Sequence, residues 1–167
     1  MTIQTQTTGL PIGRAILGGL IGSVAMAMWA MAVAGAMGMG FWTPIQLIAA
    51  TWYGPAAMMH LSGGVILAGL MTHMMMGALL GIILAIAFRV LPGLAPGRAR
   101  LLGGVVYGLV VWVLMQFVIL KVVDPIMASH MTPWAFALGH MMFGIVAAAF
   151  LLRQPAAHES LRTVKAS

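Results

Sequence analysis

Residues 65–88 read VILAGLMTHMMMGALLGIILAIAF, a run unbroken by Asp, Glu, Lys or Arg. A helix rises about 1.5 Å per residue, so a run of this length crosses the roughly 30 Å hydrocarbon core of a bilayer. Working outward, residues 14–38, 101–120 and 134–152 have the same character, with no charge in their interiors. Pro92, Pro96, Pro125 and Pro133 fall between these stretches, where helix breakers belong. The two-residue alternation of a barrel strand is absent. The sequence therefore predicts an all-α protein, a bundle of four transmembrane helices forming one integral membrane domain over residues 1–167, with a tail from 153 to 167.

Composition agrees and excludes much else. The chain is 62% hydrophobic and 6% charged, with a mean hydropathy of +1.07, whereas soluble domains carry about a quarter charged residues. Two carboxylates, Asp124 and Glu159, leave no pair for acid–base catalysis. Without cysteine there is no disulfide, thiolate nucleophile or zinc–thiolate site. The formal charge of +6 comes from scattered residues that form no basic stripe, so no nucleic-acid partner is expected. These residues read instead as topology signals. Arg14, Arg89, Arg98, Arg100, Arg153, Arg162 and Lys165 fall on one side of the membrane and only Lys121 on the other, which places both termini in the cytoplasm. Loops 39–64 and 121–133 then face outward, and Phe41, Trp42, Trp52, Tyr53 and Trp134 cluster there as interfacial aromatics do. Residues 44–53 are expected to form a short helix in that interface. Arg14 and the small residues at 32–34 loosely fit a signal peptide, but the apolar run exceeds a signal core, so a retained helix is expected.

The sequence also echoes itself. Gly13-Arg14-Ala15-Ile16-Leu17-Gly18-Gly19 is answered by Gly97-Arg98-Ala99-Arg100-Leu101-Leu102-Gly103-Gly104, and Thr43-Pro44-Ile45 by Asp124-Pro125-Ile126. His73-Met74-Met75-Met76-Gly77 is answered by His140-Met141-Met142-Phe143-Gly144. Two-helix halves insert with the same orientation, so the expected relation is a pseudo-two-fold axis along the membrane normal. The pairs Gly18/Gly22, Gly77/Gly81 and Gly104/Gly108 each put small residues on one helix face, the means by which helices pack closely in lipid.

His73 and His140 are the chemistry-bearing residues. Ionisable groups inside a span are rare and face a bundle interior or a polar cavity. By the topology above both lie in the outer leaflet. One reading makes each a neutral imidazole bonded to a neighbouring carbonyl or hydroxyl, with Thr72, Ser23 and Gln116 as partners. A second reading is a haem b site, with His73 and His140 as axial ligands and Gly77 and Gly144 leaving room for the porphyrin edge. A third is copper, held by His73 and His140 with Met74 and Met141. Thioether and imidazole suit Cu(I), and the 17 methionines gather toward the outer side, although Met is also an apolar filler. His60 and His130 fall in outer loops and His158 in the tail, where no special role is expected.

Thr72-His73, the run Val90-Leu91-Pro92, the glycine-rich third helix, Pro133-Trp134 and Gly139-His140 together resemble the YagU-like family of bacterial inner-membrane proteins, over about residues 71–153. The resemblance implies an inner-membrane helical protein with no defined chemistry. It carries over to His73, His140, Thr72, Trp134 and Gly139, while the abundant methionine and the first half depart from it. No nucleophile, carboxylate pair or phosphate-cradling loop suggests an enzyme, and nothing suggests a nucleotide-driven pump. Three functions follow, in this order. The first is a structural or accessory subunit in the lipid bilayer, packing as a homo-oligomer or within a larger membrane complex. The second is a cofactor module for haem b or copper. The third is a small carrier or proton pathway.

Overall fold

All four apolar runs are helices; three extend beyond the stretch read from the sequence, while the first, expected over 14–38, runs two residues earlier and ends at Ala36, where Gly38 closes it. The structure, a computed structural model, describes residues 10–91 and 98–152. Its spans are α1 (Ile12–Ala36), α4 (Gly63–Val90), the stretch Ala99–Val123, and α8 (Pro133–Leu152). The third span is α5 (Arg98–Leu114), a π-helical turn at Met115–Ile119 and α6 (Leu120–Val123) in succession. Among the described residues there is no strand. The chain is thus a multi-pass, all-α membrane protein, with the lipid-facing surfaces of its spans apolar; Leu67, Met75, Leu79, Val106 and Phe117 are among the exposed side chains. His158 and the other residues of 153–167 lie outside the described residues.

Glycine decides how the spans pack. Lipid offers helices no hydrophobic reason to associate, so close backbone contact has to hold them. α1 lies between α4 and α8, and α5 packs on α8. A Cβ at Gly19 would run into the Gly77 carbonyl of α4, and one at Gly81 into the Ala15 carbonyl. The α5–α8 seam repeats this contact: a Cβ at Gly104 would strike the Gly144 carbonyl, and one at Gly144 the Gly104 carbonyl. Gly19 with Gly77, and Gly104 with Gly144, are the residues matched by the sequence echo. The correspondence stops there. A two-fold axis would pack α4 on α5 as closely as α1 on α8, yet α4 and α5 touch only sparsely. One hydrogen bond, from the Tyr107 hydroxyl to the Leu80 carbonyl at 2.7 Å, ties them together.

At one end of the bundle the connections are themselves folded. α1 stops in a Schellman motif: Gly38 takes φ +73°, its N–H reaches Gly35 O at 3.1 Å and Met39 N–H reaches Ala34 O at 2.9 Å. After it come α2 (Thr43–Tyr53) and α3 (Ala56–Met59). α7 (Pro125–His130) joins the third span to α8. The sequence anticipated α2 as an interfacial helix; here one face of it is inward, with Pro44, Ile45, Leu47, Ala49 and Ala50 buried and Trp52 and Tyr53 outward. Gly69 is its seat, since a Cβ there would collide with Ile45. The opposite end carries Arg14, Arg89 and Arg100, and Arg100 donates to the Leu151 carbonyl at 3.3 Å, where the end of α8 leaves acceptors free.

Candidate functional site: a histidine-lined cavity

Between the spans, beneath α2 and α7, lies a cavity of about 320 Å³. Its walls are almost wholly apolar. Its polar chemistry comes from His73 and Thr72 on α4, His140 on α8, Ser23 on α1 and Thr51 on α2. Five thioethers line it as well: Met26, Met76, Met115, Met127 and Met131.

The two imidazoles are held by opposite ring nitrogens. His73 Nε2 lies 3.0 Å from the main-chain oxygen of Ser23. A carbonyl only accepts, so this nitrogen carries a proton, and in the neutral imidazole Nδ1 then keeps its lone pair. His140 Nδ1 lies 2.9 Å from Phe136 O, one turn back on its own helix, so here Nε2 keeps the lone pair. Among the described residues neither lone-pair nitrogen has a hydrogen-bond partner. The Phe136 ring stands edge-on to His140 with centroids 4.4 Å apart and fixes its plane. By strict repeat symmetry His140 would reach for the α5 backbone, as His73 reaches for α1; it turns to its own helix instead. Of the partners considered from sequence, Ser23 serves through its main chain, Thr72 accepts from Trp52 Nε1 at 2.8 Å, and Gln116 donates to Ala128 O at 3.2 Å.

Of the other residues singled out from sequence, Gly77 lines the cavity and Gly144 does not. Neither leaves open space beside it: a Cβ at Gly77 would strike Ser23, and one at Gly144 the Gly104 backbone. Both glycines serve the helix seams. Met74 and Met141 are likewise absent from the cavity wall, where Met76 and Met26 stand. His60 and His130 are exposed, and His130 Nδ1 is engaged by Ile126 O at 2.8 Å.

Sequence reasoning gave the roof no role, yet it is latched on both sides. The Thr51 hydroxyl donates to Asp124 Oδ2 at 2.8 Å, and Trp52 bonds Thr72, the neighbour of His73. Asp124 is buried, and its Oδ1 accepts from Met127 N–H at 2.9 Å, capping α7. An Asp directly before Pro125 was the available signal, because Asp at the N-cap with Pro at N1 is a helix start. Among the described residues no group of three or more His, Cys, Asp or Glu gathers anywhere.

Fold and site together define a polytopic helical membrane protein with a ligand-sized cavity in one half of its bundle. Searches against protein-family models, curated proteins and solved structures found no match to the chain.

Proposed function

We propose that this is a bacterial inner-membrane protein, both termini cytoplasmic, that holds a small ligand in the cavity between His73 and His140 and catalyses no reaction of its own. The observation that carries this reading is the pair of imidazoles: each has one ring nitrogen bonded to a main-chain carbonyl, and both residues line the same cavity. In the neutral imidazole the second nitrogen of each ring carries a lone pair, so the ligand the pair would select is an electron-pair acceptor, a Lewis acid or a hydrogen-bond donor. A subunit that only packed against neighbours has no evident use for two imidazoles lining one cavity, since an ionisable group within a span is expensive and marks a functional site. This ranks the ligand-holding role above the purely accessory one, although the small-residue seams and lipid-facing surfaces are compatible with assembly into an oligomer or a larger complex. A haem is not favoured, because the neighbouring helices fill the space it would need beside Gly77 and Gly144.

The test is the composition of the purified protein. Wild type extracted gently from membranes should retain a metal or small molecule, found by metal analysis, optical spectroscopy or mass spectrometry, that both His73→Ala and His140→Ala lose. Retention of the same species by both variants would refute the site.

A further inference from the structure

We propose that the ligand is a single Cu(I) ion, bound by His73 Nδ1, His140 Nε2 and the thioethers of Met26 and Met76; this rests on reading the cavity as a ligand site, as above. The donors decide the metal. The wall offers imidazole nitrogen, thioether sulfur and a few hydroxyls but no carboxylate, so hard cations that need anionic oxygen are poorly served, while soft Cu(I) finds the donors it prefers. Charge argues the same way. Taking an ion out of water into apolar surroundings is expensive, and a monovalent ion pays far less than a divalent one when no anion compensates.

The second argument is orientation. A metal-ligating histidine donates its other ring N–H to a carbonyl, carboxylate or water, which fixes the tautomer and aims the ligating nitrogen. Both imidazoles are held in this way, by Ser23 O and Phe136 O.

Placement selects the two sulfurs. Met76 follows His73 by three residues on α4, hence one turn along the same face, and both line the cavity. Met26 follows Ser23, whose carbonyl holds His73, by three residues on α1. Its side chain lies against the residue preceding His140: a methyl at Gly139 would meet Met26 Cγ at 3.1 Å and Cε at 3.7 Å. Met26 therefore stands on the helix that orients His73, packs against the segment of α8 that carries His140, and lines the cavity with both histidines.

The test uses the full-length chain in lipid nanodiscs under reducing conditions, with Cu(I) titrated against a competing chelator and the loaded protein studied by X-ray absorption. The expected result is one Cu(I) per chain with nitrogen and sulfur in its first shell. Uptake is lost in His73→Ala and in His140→Ala. The near-isosteric double variant Met26→Leu/Met76→Leu keeps the fold by gel filtration but loses the sulfur scattering and binds more weakly. Met74→Leu/Met141→Leu binds as wild type does. Uptake that survives both histidine substitutions, or a sulfur shell that survives Met26→Leu/Met76→Leu, overturns the proposal. A wild type that takes up no Cu(I) yet holds an organic molecule lost in the histidine variants overturns the copper assignment alone. Neither metal nor molecule in the wild type overturns the ligand site with it.

Discussion

A side chain at Gly108 would meet the carbonyl of His140 and, at 3.1 Å, Cα of Met141, main-chain atoms that cannot retreat without separating α5 from α8. Gly108→Ala should therefore sharply reduce the folded yield in membranes, as judged by detergent gel filtration. Gly22 faces the Phe143 ring and carbonyl at 3.0 Å, so Gly22→Ala should be the milder lesion and Gly22→Leu comparable to Gly108→Ala. Gly13 has nothing within 4 Å and lies in the first turn of α1, so Gly13→Ala should be tolerated, with folded yield equal to wild type or slightly above it. The same contrast marks what was legible at the site. His73 and His140 stand out in any sequence because a span seldom tolerates an ionisable group. Which methionine accompanies them does not. In the run Met74-Met75-Met76 successive side chains are about 100° apart around the helix, so the choice depends on the rotation of α4, which is set by Gly77 and Gly81 packing on α1. Adjacency in sequence, which paired the histidines with Met74 and Met141, is blind to that rotation.

Among elements, α2 is the one whose position matters for access. It is seated at Gly69 and latched through Thr51 to Asp124 and through Trp52 to Thr72. Asp124→Ala removes both the latch and the cap of α7, and a lost N-cap alone costs about 0.5–2 kcal/mol. Asp124→Asn keeps acceptor oxygen and should lose less. Hydrogen exchange over residues 43–53 and 125–130 should rise in the Ala variant well before exchange in the spans does; equal protection of α2 in both variants would show that the latch is ornamental. Hydropathy made the spans legible, because twenty apolar residues have one economical conformation in lipid. It could not reveal α7 or the inward face of α2, whose packing depends on Gly69 in another helix. Nor could it reveal the π turn at Met115–Ile119, a backbone register change inside an unremarkable apolar run.

For the molecule as a whole, the charge asymmetry predicts that Met59→Cys, at an exposed position of the outer loop, is labelled from outside intact cells and Gly97→Cys is not; the reverse pattern would invert the proposed orientation. Leu79 is half exposed near the middle of α4, so Leu79→Arg should impair insertion by roughly 2.5–3.5 kcal/mol, read as loss of membrane-integrated chain. The seams that join the four spans are unequal. Three are backbone against backbone, whereas α4 meets α5 through little more than the Tyr107 phenol, a bond worth about 0.5–1.5 kcal/mol. Set in a bilayer, the bundle is therefore an elastic body with one soft joint. Lateral tension, or lipids that thin the membrane, will widen that joint before any other, and it flanks the cavity whose walls include Leu80 and Met115. The rate at which the cavity exchanges its contents should accordingly follow the mechanical state of the surrounding lipid, and Tyr107→Phe should make an unstressed membrane behave like a stretched one.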